Sequence, residues 1–206
     1  AVLRRITDPA VLATTVAGTP NFAMTPANAD VTGVRRVDVD VLGDAHGTMW
    51  AFPPVETTVS TGGALVLAES PAAFLDGERE DALREVARGL LSSFGYVGAG
   101  VVTFLIRSGS DEIWIDHVEP LARPTHALAE ESTGASFVSL RLLVAQGSTL
   151  DPEPPHADGW SVEVRLLASG EAGSLKMLSL PTGTGVRADA SRRVGDLVDP
   201  AHDMVI

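Results

Sequence analysis

Three features of the sequence predict an α+β fold. Val34 to Leu42 alternates, with Val37, Val39 and Val41 on one side and Arg36, Asp38 and Asp40 on the other, the period-2 pattern of a strand with one buried face. Leu83, Val86, Ala87, Leu90, Leu91 and Phe94 recur at helical spacing between Asp76 and Gly95, an amphipathic stripe that needs a core to pack on. Gly98–Arg107 and Glu112–Glu119 flank Ser108-Gly109-Ser110-Asp111 and read as a hairpin.

The other elements follow in chain order. Asp8-Pro9 opens a helix, aspartate as N-cap and proline in the first turn, which runs to Ala17 and stops at Gly18. Thr19 to Gly33 has no period and reads as loop. Gly43-Asp44-Ala45-His46-Gly47 turns the first strand into a second, Thr48 to Phe52, and short strands follow at Glu56–Ser60 and Ala64–Ala68. Glu78, Glu80 and Asp81 load the start of the long helix with negative charge, which suits its dipole. Gly134 to Gln146 reads as an apolar helix stopped by Gly147, and Asp151-Pro152-Glu153-Pro154-Pro155 as a linker. Trp160 to Leu167 alternates as a strand with Glu163 and Arg165 on one face, and short strands punctuated by Gly183, Gly185 and Gly195 finish the chain.

Composition narrows the function classes. A chain of 206 residues holds one large domain or two small ones. No apolar run approaches the roughly 20 residues of a membrane span, and no signal-peptide pattern is present. A net charge of −12 argues against nucleic acid, which needs a basic footprint. The absence of cysteine removes thiolate zinc sites and cysteine nucleophiles and fits a reducing, cytoplasmic setting. Lys176 is the single lysine against fourteen arginines. The chain opens without methionine and closes on Met204-Val205-Ile206, which resembles mid-strand sequence. Both ends read as cuts in something longer.

Oxygen-bearing side chains point to one candidate site, in the hairpin. With a four-residue loop Arg107 pairs with Glu112 and Thr103 faces Asp116, about 5 Å away, close enough to share a cation. Asp116 and Glu119 are then the candidate ligands for a magnesium ion that also binds substrate phosphates; the competing reading is a strand face of solvated acids. His46, His117, His126, His156 and His202 show no metal-binding spacing. Neither a Walker phosphate loop nor a nucleophile elbow is present. Gly98-Ala99-Gly100 is too short to cradle a phosphate and suits a strand passing close to a neighbour. Leu175-Lys176-Met177 resembles the lysine–methionine hairpin of biotin-carrying domains, with leucine where methionine precedes the lysine; otherwise Lys176 is an exposed strand lysine.

Four blocks together resemble biotin carboxylases. Val34-Arg35-Arg36-Val37-Asp38-Val39-Asp40-Val41-Leu42 followed by Gly43-Asp44-Ala45-His46-Gly47 is similar to their Arg-His-Val-Glu-Ile-Gln-Val-Leu strand and turn. Gly95-Tyr96-Val97-Gly98-Ala99-Gly100-Val101-Val102-Thr103-Phe104 is similar to Gly-Tyr-x-Gly-Ala-Gly-Thr-x-Glu-Phe, and His126 to Gly134 to His-Pro-Val-Thr-Glu-x-x-Thr-Gly. Gly185-Val186-Arg187 and Gly195-Asp196 through Met204 resemble the opening of the family's C-terminal subdomain. The blocks keep their order over nearly the whole chain.

The resemblance implies an ATP-grasp-like antiparallel sheet with flanking helices, then the start of that C-terminal subdomain. It divides the chain into a lid remnant and linker (1–33), an ATP-grasp-like core (34–150) and a C-terminal-like part (151–206). It implies MgATP and biotin as cofactors, the other domains or subunits of a carboxylase as partners, and a homodimer. It also exposes departures. The first metal-binding glutamate falls on Thr103, and the second on Asp116, or on His117 if both extra residues lie in the hairpin loop. The next asparagine falls on Glu119, the following arginine on Leu121, and the base for bicarbonate on Thr125. The His-Gln-Lys segment aligns with Gly63-Ala64-Leu65 and the adenine-hinge pair with Asn28-Ala29. The glycine-rich lid loop and its lysine would precede Ala1. Arg165, matching the arginine that stabilises the biotin enolate, is the one retained catalytic candidate, with Glu163 beside it.

Phosphoryl transfer depends on such charges, so the departures leave open whether this is an enzyme. Three readings follow: a carboxylase domain or fragment without catalysis that serves assembly; a diverged ATP-grasp ligase that binds MgATP with help from outside the chain; and an unrelated acidic α+β binding module.

Overall fold

The computed structural model describes residues 22–26 and 30–199. The expected helix at Asp8–Ala17, the hinge pair Asn28-Ala29 and the terminal Met204–Ile206 lie outside the described residues. The chain divides into two compact units, one reaching to Thr58 and including Ala68–Glu163, the other formed by Val59–Leu67 and the residues from Val164 on.

The first unit is built on β2 (Val34–Gly43) and β6 (Gly98–Arg107), antiparallel over ten registered pairs from Val34↔Arg107 to Gly43↔Gly98. β7 (Ile113–Glu119) pairs antiparallel with β6, and β4 (Val55–Thr61) and β3 (Met49–Ala51) antiparallel with β2. β1 (Phe22–Met24) runs parallel to β7, so the sheet is mixed at that edge. β4 also neighbours β5 (Ala64–Ser70).

Alternation decides what each face buries. Val37, Val39 and Val41 join Val102, Phe104, Ile106, Ile113, Ile115 and Val118 under α1 (Gly77–Ser93), which contributes Leu83, Ala87, Leu90 and Leu91. Asp76 caps α1 by accepting the Arg79 N–H at 2.8 Å, satisfying one of the donors a helix start leaves open. Phe94, expected at the end of the buried stripe, is the C-cap residue and is exposed. On the other face Leu42, Trp50, Phe52 and Ala99 pack with Ala129, Phe137, Val144 and Leu150.

That second face is covered by two helices where the sequence suggested one starting at Gly134. α2 (His126–Thr133) ends at Gly134, whose φ of 67° closes it in the left-handed region, a conformation glycine adopts without strain. α3 (Phe137–Ala145) starts afresh after Ser136, whose hydroxyl accepts the Ser139 N–H. The glycine is therefore a stop signal for a helix too short and too weakly patterned to show in the sequence.

The turn after β2 is fixed by Asp44. One carboxylate oxygen accepts the His46 and Thr48 N–H groups at 2.8 and 2.9 Å, and the other accepts Leu150 N–H at 2.8 Å. Burial pushes this carboxyl up, but the three backbone donors outweigh it and hold it below the usual range.

In the second unit Gly62 and Gly63, with φ of 56° and 82°, turn the end of β4 into the start of β5, the type I′ pattern that matches strand twist. The Arg165 N–H donates to the Val66 carbonyl at 2.8 Å. Arg165 follows β8 (Ser161–Val164), shorter than the Trp160–Leu167 strand expected, and Glu163 belongs to the first unit. β9 (Gly173–Ser174) and β10 (Leu197–Val198) pair antiparallel. Lys176 is exposed beyond β9, outside any strand. Among the described residues no helix is long and apolar enough to cross a membrane.

The glycines at the β2–β6 end do what close approach requires. A Cβ on Gly43 would lie 2.7 Å from the Tyr96 carbonyl oxygen, and one on Gly100 3.2 Å from that of Glu119. Gly43→Ala should therefore lower stability by about 1–3 kcal/mol, the usual cost of overpacking, measured by urea denaturation. A change below a few tenths of a kcal/mol would show that the backbone yields freely.

Candidate functional site

The site lies on the even-numbered face of β2, beside the α2–α3 cluster. Its geometry begins with a break in β7. Ile113, Trp114 and Ile115 pair with Ile106, Leu105 and Phe104, but Thr103 pairs with His117. Asp116 is the extra residue of a β-bulge. The expected pairing of Thr103 with Asp116 is thus corrected: the four-residue loop is present, with Arg107 bonded to Glu112 across it, and the slip occurs further along the strand. Apolar burial shows the cause. Ile113, Ile115 and Val118 all face α1, and only one inserted residue between Ile115 and Val118 allows that.

The bulge turns His117 toward β2. Thr103, fully buried, donates its hydroxyl to Asp38 Oδ1 at 2.6 Å and lies 3.5 Å from His117 Nε2. The central group is Arg123, in the segment between β7 and α2. It bonds Asp38 Oδ2, bonds Glu119 Oε2 through Nε at 2.9 Å and Nη2 at 2.6 Å, and reaches His117 Nε2 from Nη2 at 2.8 Å. Arginine only donates, so Nε2 accepts, and Nδ1–H is left to donate to Asp116 Oδ2 at 2.8 Å. Arg36 completes the cluster 3.7 Å from Asp38 and 3.5 Å from His117.

The electrostatics follow these contacts. Burial works against the charge on Arg123, and Asp38 and Glu119 more than restore it, so its pKa is raised. The His117 hydrogen bond lowers the Asp116 carboxyl despite burial, with Arg36 and Thr25 assisting. Asp40 differs. It is 1% exposed, neither carboxylate oxygen has a hydrogen-bond partner, and burial followed by repulsion from Asp38 pushes it up to about 7, with Arg123 opposing.

The sequence-derived candidates are therefore separated. Asp116 and Glu119 share a cluster, but the first is bonded to His117 and the second to Arg123. Among the described residues no three His, Asp or Glu side chains are arranged to hold a metal ion. A magnesium ion held by carboxylates does not fit this donor set while Arg123 stands in it. Thr125 is buried just before α2, its hydroxyl unpartnered, and Leu121 is exposed. Gly63 is a turn residue, with Ala64 and Leu65 opening β5. Arg165 is half-buried in the second unit. Sequence reasoning missed Arg123, Asp38 and Asp40 as site residues.

Two outcomes test the network. Arg123→Met should destabilise the fold by about 3–5 kcal/mol, the cost of stranding a buried partner charge, read by chemical denaturation; a loss under about 1 kcal/mol would place the carboxylates in water. For Asp40 the folded pKa of about 7 lies above the ordinary 3.8. The folded state then keeps a proton that the unfolded chain loses, so stability falls as pH rises between those values and levels off above the upper one. That gap is worth at most on the order of 4 kcal/mol. Asp40→Asn should flatten this slope, its Tm advantage growing from about pH 5 to about pH 8; parallel profiles would show Asp40 ionised throughout.

Known proteins fit this description. Biotin carboxylase 1 of Bacillus subtilis (strain 168) is 26% identical over 181 residues, covering 84% of this chain and 40% of that protein. The mitochondrial propionyl-CoA carboxylase alpha chain of Mus musculus is 29% identical over 183 residues, 84% of this chain and 25% of that one. The chain thus spans less than half the length of these relatives. Among solved structures, the biotin carboxylase domain dimer of Hydrogenobacter thermophilus 2-oxoglutarate carboxylase, in complex with MgADP, ADP and bicarbonate, superposes with a TM-score of 0.78 at 18% identity, over 84% of this chain and 40% of that one. The likeness establishes the fold as that of a biotin carboxylase ATP-grasp domain, and it sets aside the reading of an unrelated acidic module. The model of the carbamoyl-phosphate synthase L chain, ATP binding domain, matches residues 10–153, more than half of the sequence, and the chain belongs to that family.

Proposed function

We propose that this is a biotin-carboxylase-like domain of a biotin-dependent acyl-CoA carboxylase that serves assembly rather than MgATP-dependent carboxylation. The supporting observation is Arg123. Its guanidinium is bonded to Asp38, Glu119 and His117 beside Thr103, in the stretch where the family resemblance sets metal-binding glutamates. An organic cation there neutralises carboxylates, as a metal ion would, but offers no open coordination position to a phosphate. Asp116 and Glu119 stay as secondary cation candidates, for which an ion would compete with His117 and Arg123. Arg165 stays as the one catalytic candidate carried over from the family. The division at 33/34 and 150/151, a cytoplasmic setting, a homodimer and docking to other carboxylase domains or subunits belong to the same reading.

The test is ligand linkage. Ligand that binds only the folded state must stabilise it, by about 2.7 kcal/mol at a hundredfold excess over Kd. MgATP at millimolar concentration should leave the Tm of this chain unchanged, and bicarbonate should not stimulate ATP hydrolysis by the full-length protein. A Tm rise of several degrees, or bicarbonate-dependent turnover, would favour a diverged ATP-grasp ligase instead.

A further inference from the structure

The Arg123 network leaves out one polar group of its own face. Asp38, Thr103 and His117 form one cross-strand row, and Asp40, Val101 and Glu119 form the next. Directly paired residues share a face of the sheet, so Asp38, His117, Glu119 and Asp40 stand at the corners of a quadrilateral. Arg123 bonds the first three corners. Asp40, the fourth, is buried with both carboxylate oxygens unpartnered.

The groups around Asp40 can be named element by element. Asp38 on β2 and Arg123 before α2 are the charges acting on it. Val101 opposite it on β6 brings none, and Glu119 on β7 ends the same row. Phe52 gives only a backbone N–H, to the Asp40 carbonyl at 2.9 Å. α2, packed on this face through Ala129, carries His126, Glu130 and Glu131. A buried carboxyl with no donor keeps its proton, because an unpaired buried charge costs more than holding it. Among the described residues, Arg123 is the one cation whose charge acts on it.

We propose that Asp40 is a proton-controlled latch on Arg123. With the proton on, the guanidinium stays on Glu119 and His117. When the Asp40 O–H bond breaks and the proton leaves to water, the new carboxylate accepts an Arg123 N–H, and the Glu119–His117 corner loses one. No other reactant is consumed. The solvent side of the cluster, Glu119 with Asp116, then changes from neutralised to acidic. This device acts whether or not the domain binds nucleotide. Its range is set by burial and by Asp38, which together bring the Asp40 carboxyl to about 7.

The experiment follows the Asp40 carboxyl carbon and the Arg123 Nε–H by NMR across neutral pH in the whole chain. Both should titrate together with a midpoint at about pH 7, the Arg123 signal losing the shift its Glu119 bond confers. In Asp40→Asn the Arg123 signal should stay in its low-pH position. Titration of Asp40 with Arg123 unmoved would overturn the latch, as would an unchanged Arg123 titration in Asp40→Asn, which would assign the effect to His117. If the variant fails to fold, coincidence or divergence of the two wild-type titrations decides.

Discussion

One arginine holds together the parts of the first unit that its hydrophobic core does not. Asp38 is a carboxylate buried in a sheet face, and a charge so placed is tolerated only with a cation and hydrogen bonds around it. Arg123 supplies the cation, Thr103 the short hydroxyl bond. The same guanidinium fastens the last residue of β7, and the backbone carbonyl of Arg123 accepts the His126 N–H at 3.0 Å at the entry to α2. The strand end, the connection and the first turn of the covering helix are thus fixed through one residue, by its side chain and its backbone carbonyl. The apolar α2–α3 layer, with Ala129 and Phe137 over Leu42 and Ala99, begins where that fastening ends.

The bulge at Asp116 makes the arrangement available. Without it, the alternation of β7 would aim Asp116 at Thr103 and Asp38, three oxygen-bearing groups converging with a single hydroxyl donor between two carboxylates. Like charges that close disfavour joint ionisation, and an added cation would be the natural remedy. With the bulge, His117 enters instead, accepting from Arg123 on one nitrogen and donating to Asp116 through the other. Arginine suits the place because its planar fork presents donors in fixed directions to several acceptors at once. A lysine would meet the charge requirement but not this geometry.

Much of the fold was legible because burial writes a period into the chain. Val37, Val39 and Val41 announced the strand and its inner face, and the Leu83–Leu91 stripe announced α1; both faces are buried as read. Gly98-Ala99-Gly100 announced close backbone approach, which the contacts around Gly100 bear out. The hairpin register was legible only in part. The spacing of Ile113, Ile115 and Val118 breaks period two between the last pair, and that break was the available signal for the bulge. α2 is illegible because eight residues with few apolar positions leave no stripe, and a lone glycine such as Gly134 does not say whether a helix starts or stops there. Asp38 and Asp40 were read as the polar side of a strand, since alternation tells which residues share a face but not what covers it. Arg123 has local partners in Glu119 and His117, 4 and 6 residues away, but Asp38 lies 85 residues away, and that bond exists only in three dimensions.

The two faces of the sheet carry different kinds of residue. The face under α1 requires apolar volume, which many sequences satisfy. The candidate site sits on the opposite face, on the intervening residues of the same strands. The chain superposes at 18% identity on a structure solved with MgADP, and on this face Thr103, His117 and Arg123 bond to Asp38, Asp116 and Glu119. The second face is organised around a guanidinium with one unpartnered carboxyl beside it.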